Sequence, residues 1–140
     1  MNTWIIYAIV SMVFAGFTSV IAKYGLKNVS GDTGLAVRTI FVFLFVWSNI
    51  LLFQPLKDFG KLSVKDIGFL ALSGLTTAIS WIFYYRDIKE GNVSVVAVID
   101  KVSIVITLIL SFWILKEPFT LKLGLGAVCI LIGLLIIVWK

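Results

Sequence analysis

An all-α integral membrane protein that crosses the bilayer five times is the fold this sequence predicts, and three observations predict it. Of the 140 residues, 61% are hydrophobic and only 14% charged, with a mean hydropathy of +1.11. That mix leaves too little polar surface to cover a water-soluble particle, whereas lipid accepts apolar runs directly. The apolar residues fall into five stretches, each near the roughly 20 residues that span a hydrocarbon core of about 30 Å. The connections between them are short and polar, so residues 1–140 read as a single transmembrane domain with no extramembranous part.

The first segment, 4–24, begins after Met1-Asn2-Thr3, which carries no basic residue and leads into no small-residue cleavage signature. It therefore reads as a retained helix rather than a removable signal. Ala8, Ser11, Ala15, Ser19 and Ala22 advance along it by three or four residues, a small-sided stripe that lets helix backbones approach closely in lipid. Asn28-Val-Ser-Gly-Asp32 supplies turn formers before the second segment, 33–53, which Gln54-Pro55 closes.

The third segment, 67–85, carries a small pair, Gly74 and Ala78, and a polar set, Thr77, Ser80 and Tyr84, at spacings of three and four. Arg86, Asp87, Lys89 and Glu90 follow as a solvated interfacial charge cluster. After Glu90-Gly91-Asn92 comes the fourth segment, 93–115, and Lys116-Glu117-Pro118 separates it from the fifth, 119–139. Gly126, Cys129 and Gly133 give that last segment a small face. Trp4 and Trp139 lie near helix ends as interface anchors would, while Trp81 and Trp113 are expected to fill space between helices.

The fourth segment carries the chemistry. Asp100, Ser103, Thr107 and Ser111 follow spacings of three, four and four, which puts a carboxylate and three hydroxyls on one helix face about 16 Å long. An ionised group in the hydrocarbon is costly, so this face is expected to point into the bundle or a watered cavity. Each hydroxyl can instead return its hydrogen bond to the carbonyl one turn earlier. Lys101 projects about 100° round the helix from Asp100 and need not pair with it. Arg38, early in the second segment, is the intramembrane group of opposite charge available to Asp100. An ion pair of the two and a substrate or coupling-ion site are both open, and Arg38, Thr77, Ser80, Tyr84, Asp100, Lys101, Ser103, Thr107 and Ser111 are the pathway candidates.

Several function classes are disfavoured. Histidine is absent and the one cysteine, Cys129, lies in an apolar run, so no metal centre, disulfide framework or cofactor is expected, and no enzyme chemistry. The net charge of +5 comes from basic residues scattered between apolar spans, not from a patch that would bind nucleic acid.

An odd number of spans places the termini on opposite sides. Lys57, Lys61, Lys65, Lys116 and Lys122 then share the N-terminal side, against Lys23, Lys27, Arg38, Arg86, Lys89 and Lys140 on the other. Orientation is set by an excess of Lys and Arg on the cytoplasmic side, and here there is almost none. The balance fits a chain inserted both ways round; the alternative is a single orientation imposed by finer features or by a paired subunit.

Segment 90–120, with Ile99-Asp-Lys-Val-Ser and Lys116-Glu-Pro as its most specific parts, resembles the helix-four region and following turn of EamA-type members of the drug/metabolite transporter superfamily. Leu123-Gly-Leu-Gly-Ala-Val-Cys-Ile-Leu-Ile-Gly133 is similar to their fifth helix, and Phe17-Thr-Ser-Val-Ile-Ala-Lys23 with Arg38 agrees more loosely. The resemblance implies one five-helix repeat of opposed topology to a second, so that two such chains complete a ten-helix transporter around a cavity. It implies secondary transport of a small polar or amphiphilic metabolite by alternating access, in the cytoplasmic membrane of a bacterium or archaeon. The partners it implies are lipid, a small-molecule substrate and an antiparallel second copy or close relative. It assigns Asp100 and Lys101 to the helix-four motif, Arg38 to the basic position of helix two, and Glu117 with Pro118 to the structural turn. Val98 stands where many relatives have proline, so a proline-dependent bend in helix four is not expected. The small multidrug exporters also pair antiparallel, but with four helices and a glutamate in the first; this first helix has no carboxylate. A non-transporting membrane scaffold or assembly subunit is the alternative reading.

Overall fold

The computed structural model describes residues 2–53 and 56–139. The Gln54-Pro55 step, and with it Met1 and Lys140, lies outside them. All five expected segments are helices long and apolar enough to cross a membrane. They fall into two compact units, Met1–Glu90 and Gly91–Lys140.

The first unit holds α1 (Thr3–Gly25), α2 (Gly31–Phe53) and α3 (Val64–Glu90), with a short 3-10 turn, Leu56–Lys61, between the last two. Local signals start α2 and α3. The Ser30 hydroxyl accepts from the Thr33 amide at 3.1 Å. Ser63 and Asp66 form a reciprocal box, each side chain accepting from the other's amide at 3.2 and 2.9 Å. Trp47 stacks on Phe59 with centroids 6.0 Å apart and planes 4° from parallel, which ties the 3-10 turn back to α2.

Both α1 and α2 pack chiefly on α3. Ser19 and Lys23 of α1 meet Tyr84 and Ile88 of α3 at a constant offset, so those two helices run parallel, while α2 runs antiparallel to α3. Consecutive helices thus pack antiparallel in α2 with α3, whereas for α1 the principal neighbour is the helix after next. The buried residues Ser19, Leu26, Gly31, Leu35, Tyr85 and Ile88 gather at one end of this unit. Elsewhere large apolar side chains such as Phe45, Leu52 and Phe69 are exposed, as suits helices whose solvent is hydrocarbon.

That end is also tied by two lysines in reciprocal arrangement. The last carbonyls of a helix have no intrahelical donor and carry the negative end of its dipole. Lys23 on α1 donates to the carbonyls of Ile88 and Lys89 at 2.6 and 3.0 Å. Lys89 on α3 donates to those of Leu26 and Lys27 at 2.6 and 2.9 Å. The charge cluster read at the close of α3 keeps Arg86, Asp87 and Glu90 exposed, while Lys89 is engaged because the C-termini of α1 and α3 meet there. Lys89→Met keeps the stem but strips two carbonyls of their charged donor. It is expected to cost about 1–2 kcal/mol, water replacing part of the loss, and a parental midpoint in thermal unfolding in detergent would contradict this.

The second unit holds α4 (Val93–Asp100), α5 (Ser103–Ile114) and α6 (Leu121–Val138), with α4 packed on α6. The fourth span, expected as one helix, is broken. Around Lys101–Val102 the amides of 101, 102, 104 and 105 donate three residues back, at 3.0–3.1 Å, instead of four. Such a 3-10 stretch inside a helix often marks a hinge, and it arises here without proline. In the connection holding Glu117 and Pro118, Lys116 adopts a left-handed backbone, φ 55°. The Glu117 amide thereby reaches back to the Ser111 carbonyl at 3.3 Å. Thr120 caps α6, accepting from the Leu123 amide at 3.3 Å.

Trp113 is 78% exposed and, among the described residues of its own unit, fills no space between helices, contrary to expectation, because α5 turns it outward. At Gly126 and Gly133 an added Cβ would meet nothing within 4 Å, and Cys129 is exposed. The small face of α6 is uncovered.

Candidate functional site

In the first unit two clefts flank α2. One, of about 750 Å³, runs between α2 and α3 from the Asp32 and Arg86 pair past Thr39, Thr77 and Trp81. The other, of about 670 Å³, lies on the α1 side of α2 and contains Arg38 and Tyr85. Both volumes suit a small organic molecule.

Arg38 lies about two turns into α2. Its guanidinium carbon stands 4.1 Å from the centre of the Trp81 ring and 5.7 Å from that of Tyr85. Trp81 and Tyr85 are four residues apart on α3, one turn, so both rings face the same side and grip the cation. A charge at the centre of a membrane helix costs about 2.5–3.5 kcal/mol, and ring contacts return about 0.5–2 kcal/mol. The rings offset only part of the cost. Nη1 of Arg38 is the buried side-chain polar atom that has no hydrogen-bond partner among the described residues, and Arg38 forms no ion pair among them.

The other cation on this seam is satisfied. Arg86 grips Asp32 with two parallel hydrogen bonds, 2.9 and 3.0 Å, joining the start of α2 to the end of α3. Both side chains are about half exposed, so the pair contributes roughly 0–1 kcal/mol; its effect is to neutralise the mouth of the larger cleft. Inside that cleft the hydroxyls of Thr39 and Thr77 donate to the carbonyls of Leu35 and Ser73, each at 2.8 Å. Their lone pairs stay available, so this wall offers acceptors, whereas the Arg38 side offers donors.

The polar set expected on helix three divides. Thr77 faces the α2–α3 cleft, Tyr84 turns to α1 and shares a 2.6 Å hydrogen bond with Ser19, and Ser80 is exposed. Of the small stripe on α1, Ser19 is buried against α3, while Ala8 and Ser11 are exposed.

In the second unit Asp100 closes α4 and pairs with Lys101 at 3.1 Å. The sequence reading left these two apart because neighbours diverge by about 100°; the four-carbon lysine stem is long enough to curl back. The expected polar face is divided by the helix break, with Asp100 on α4 and Ser103, Thr107 and Ser111 on α5. The Thr107 hydroxyl returns to the Ser103 carbonyl at 3.1 Å, and the Ser111 carbonyl accepts from the amides of Leu115 and Glu117.

Sequence reasoning missed the aromatic grip and the Asp32–Arg86 pair. The first left a signal in the one-turn spacing of Trp81 and Tyr85. The second left none, because its members are 54 residues apart.

Five apolar spans among the described residues, with clefts of metabolite size and an arginine set among aromatic rings, define a multi-pass membrane protein with polar groups presented inside its helical seams. The model of the EamA-like transporter family matches residues 2–139, and the chain belongs to that family of membrane transporters. It is 32% identical over 136 residues to a Sinorhizobium sp. protein described as an "uncharacterized transporter in cobO 3′region", with 97% of this chain and 96% of the relative covered. No solved structure matches the chain.

Proposed function

We propose that this protein is one half of a secondary transporter, which pairs in opposite orientation with a second copy or a close relative. Together the two move a small polar or amphiphilic metabolite across a bacterial or archaeal cytoplasmic membrane by alternating access. The observation that carries this reading is membership of a transporter family over residues 2–139, a stretch with five candidate spans among the described residues. The near-equal charge on its two sides and the uncovered small face of α6 support the pairing. The break after Asp100 gives the fourth span a point at which to bend.

The testing experiment is reconstitution into liposomes, with uptake followed for a metabolite panel under imposed proton or sodium gradients. Gradient-dependent uptake of a panel member is expected. A paired protein that moves nothing under any gradient would favour the scaffold reading, to which the internally paired Asp100 and Lys101 lend some weight. Tagging of cysteines placed at each terminus is expected to report both sides of the membrane; one side only would end dual insertion, and a monomer active in liposomes would end the half-transporter idea.

A further inference from the structure

We propose that Arg38 docks the anionic head, a carboxylate or a phosphate ester, of the solute this protein carries; the inference rests on the transport reading above. Among the described residues lining the cleft on the α1 side of α2, Arg38 is the one with a formal charge. Around it the walls are mostly apolar, with Ile21, Val37 and Phe41. A cation in such a place ordinarily finds an oxygen. Arg86 has found the Asp32 carboxylate and Lys89 the end of α1, yet among the described residues Arg38 has none, and its Nη1 is buried without a partner there.

The rings do not fill that need. Trp81 at 4.1 Å and Tyr85 at 5.7 Å meet the guanidinium as π-systems, which accept no hydrogen bond in the guanidinium plane. They fix the fork in position and leave its N–H edges unspent. A planar fork held in that way matches the two oxygens of a carboxylate or phosphate with parallel hydrogen bonds. The Thr18 hydroxyl in the same cleft already donates to the Phe14 carbonyl at 2.8 Å, so Arg38 is the charged donor beside the hydroxyls of Thr33 and Tyr85 that also line the cleft. Apolar walls around one cation select an amphiphilic anion with a compact apolar body, and they disfavour organic cations.

The test uses the full-length protein in phosphatidylcholine nanodiscs, with tryptophan fluorescence and thermal unfolding followed on addition of four probes. Phenylacetate and phenyl phosphate carry the anionic heads; phenylacetamide is the neutral isostere and phenethylammonium the cation. Both readouts are expected to respond to at least one anion, with the amide and the ammonium weaker by about tenfold or more. The tighter anion identifies the head group. Arg38→Gln should abolish the preference, while Arg38→Lys, which keeps the charge and loses the fork, should keep part of it. Equal responses to phenylacetate and phenylacetamide in the unaltered protein would overturn the proposal, whether or not any variant folds. So would phosphatidylglycerol nanodiscs that give the Arg38-dependent stabilisation alone and suppress the soluble anions, since the site would then belong to a lipid headgroup. Failure of the transport reading looks different: anion binding at Arg38 with no flux of any solute in liposomes sinks transport and leaves the site. A solute carried by Arg38→Gln at the parental rate keeps transport and overturns the assignment of Arg38.

Discussion

Asp100→Asn is expected to leave membrane insertion and pairing intact and to lower substrate flux by about tenfold or more, the scale of a hydrogen bond to an ionised group. Asparagine keeps the size and most of the hydrogen-bonding capacity of the side chain while removing its charge. The ion pair with Lys101 has partners 65% and 35% exposed, so losing it changes stability by only about 0–1 kcal/mol. Flux, not stability, is therefore the readout. Asp100 ends α4 exactly where the hydrogen bonding tightens to the 3-10 pattern, so a change in its partner or protonation is placed to act on the break. The measurement is flux of a panel substrate in liposomes that hold equal, verified amounts of paired protein. An asparagine variant that transports at the parental rate across about pH 5 to 8 would exclude an essential charge at this position.

Gly31→Ala is expected to destabilise the first unit by about 1–3 kcal/mol, the range for overpacking a filled site. A Cβ added at Gly31 would stand 2.8 Å from the carbonyl carbon and oxygen of Tyr85 and 2.9 Å from the Arg86 nitrogen. All three atoms are backbone, so no side chain can swing aside, and relief requires α2 to move off α3. That movement also strains the Asp32–Arg86 pair one residue on, and it shifts Arg38 against its rings. The check is thermal unfolding in detergent beside Gly60→Ala as a control, because a Cβ there meets nothing within 4 Å. Equal losses in the two variants would show that the close approach of α2 and α3 contributes nothing. Both helices persist in Gly31→Ala by the signals that start them, so circular dichroism should change little while the unfolding midpoint falls.

The fold class, the number of spans and their limits to within a few residues followed from the sequence alone. The reason is that hydrocarbon imposes one requirement on every residue of a span, and that requirement is legible one segment at a time. The Glu117-Pro118 turn, the resemblance to the family and the charge balance were legible for the same reason, being local or additive. What only the tertiary structure decided is which helix meets which. That α1 packs on α3, that Lys23 and Lys89 cap each other's helices, and that Arg38 stands between Trp81 and Tyr85 each depend on residues brought together from distant parts of the chain. Lipid is as apolar as the side chains it touches, so hydrophobicity says that a helix is in the membrane and not which of its faces meets protein. Close approach at Gly31 and the donor demand of helix ends make that choice, and both are properties of the assembled pair of helices.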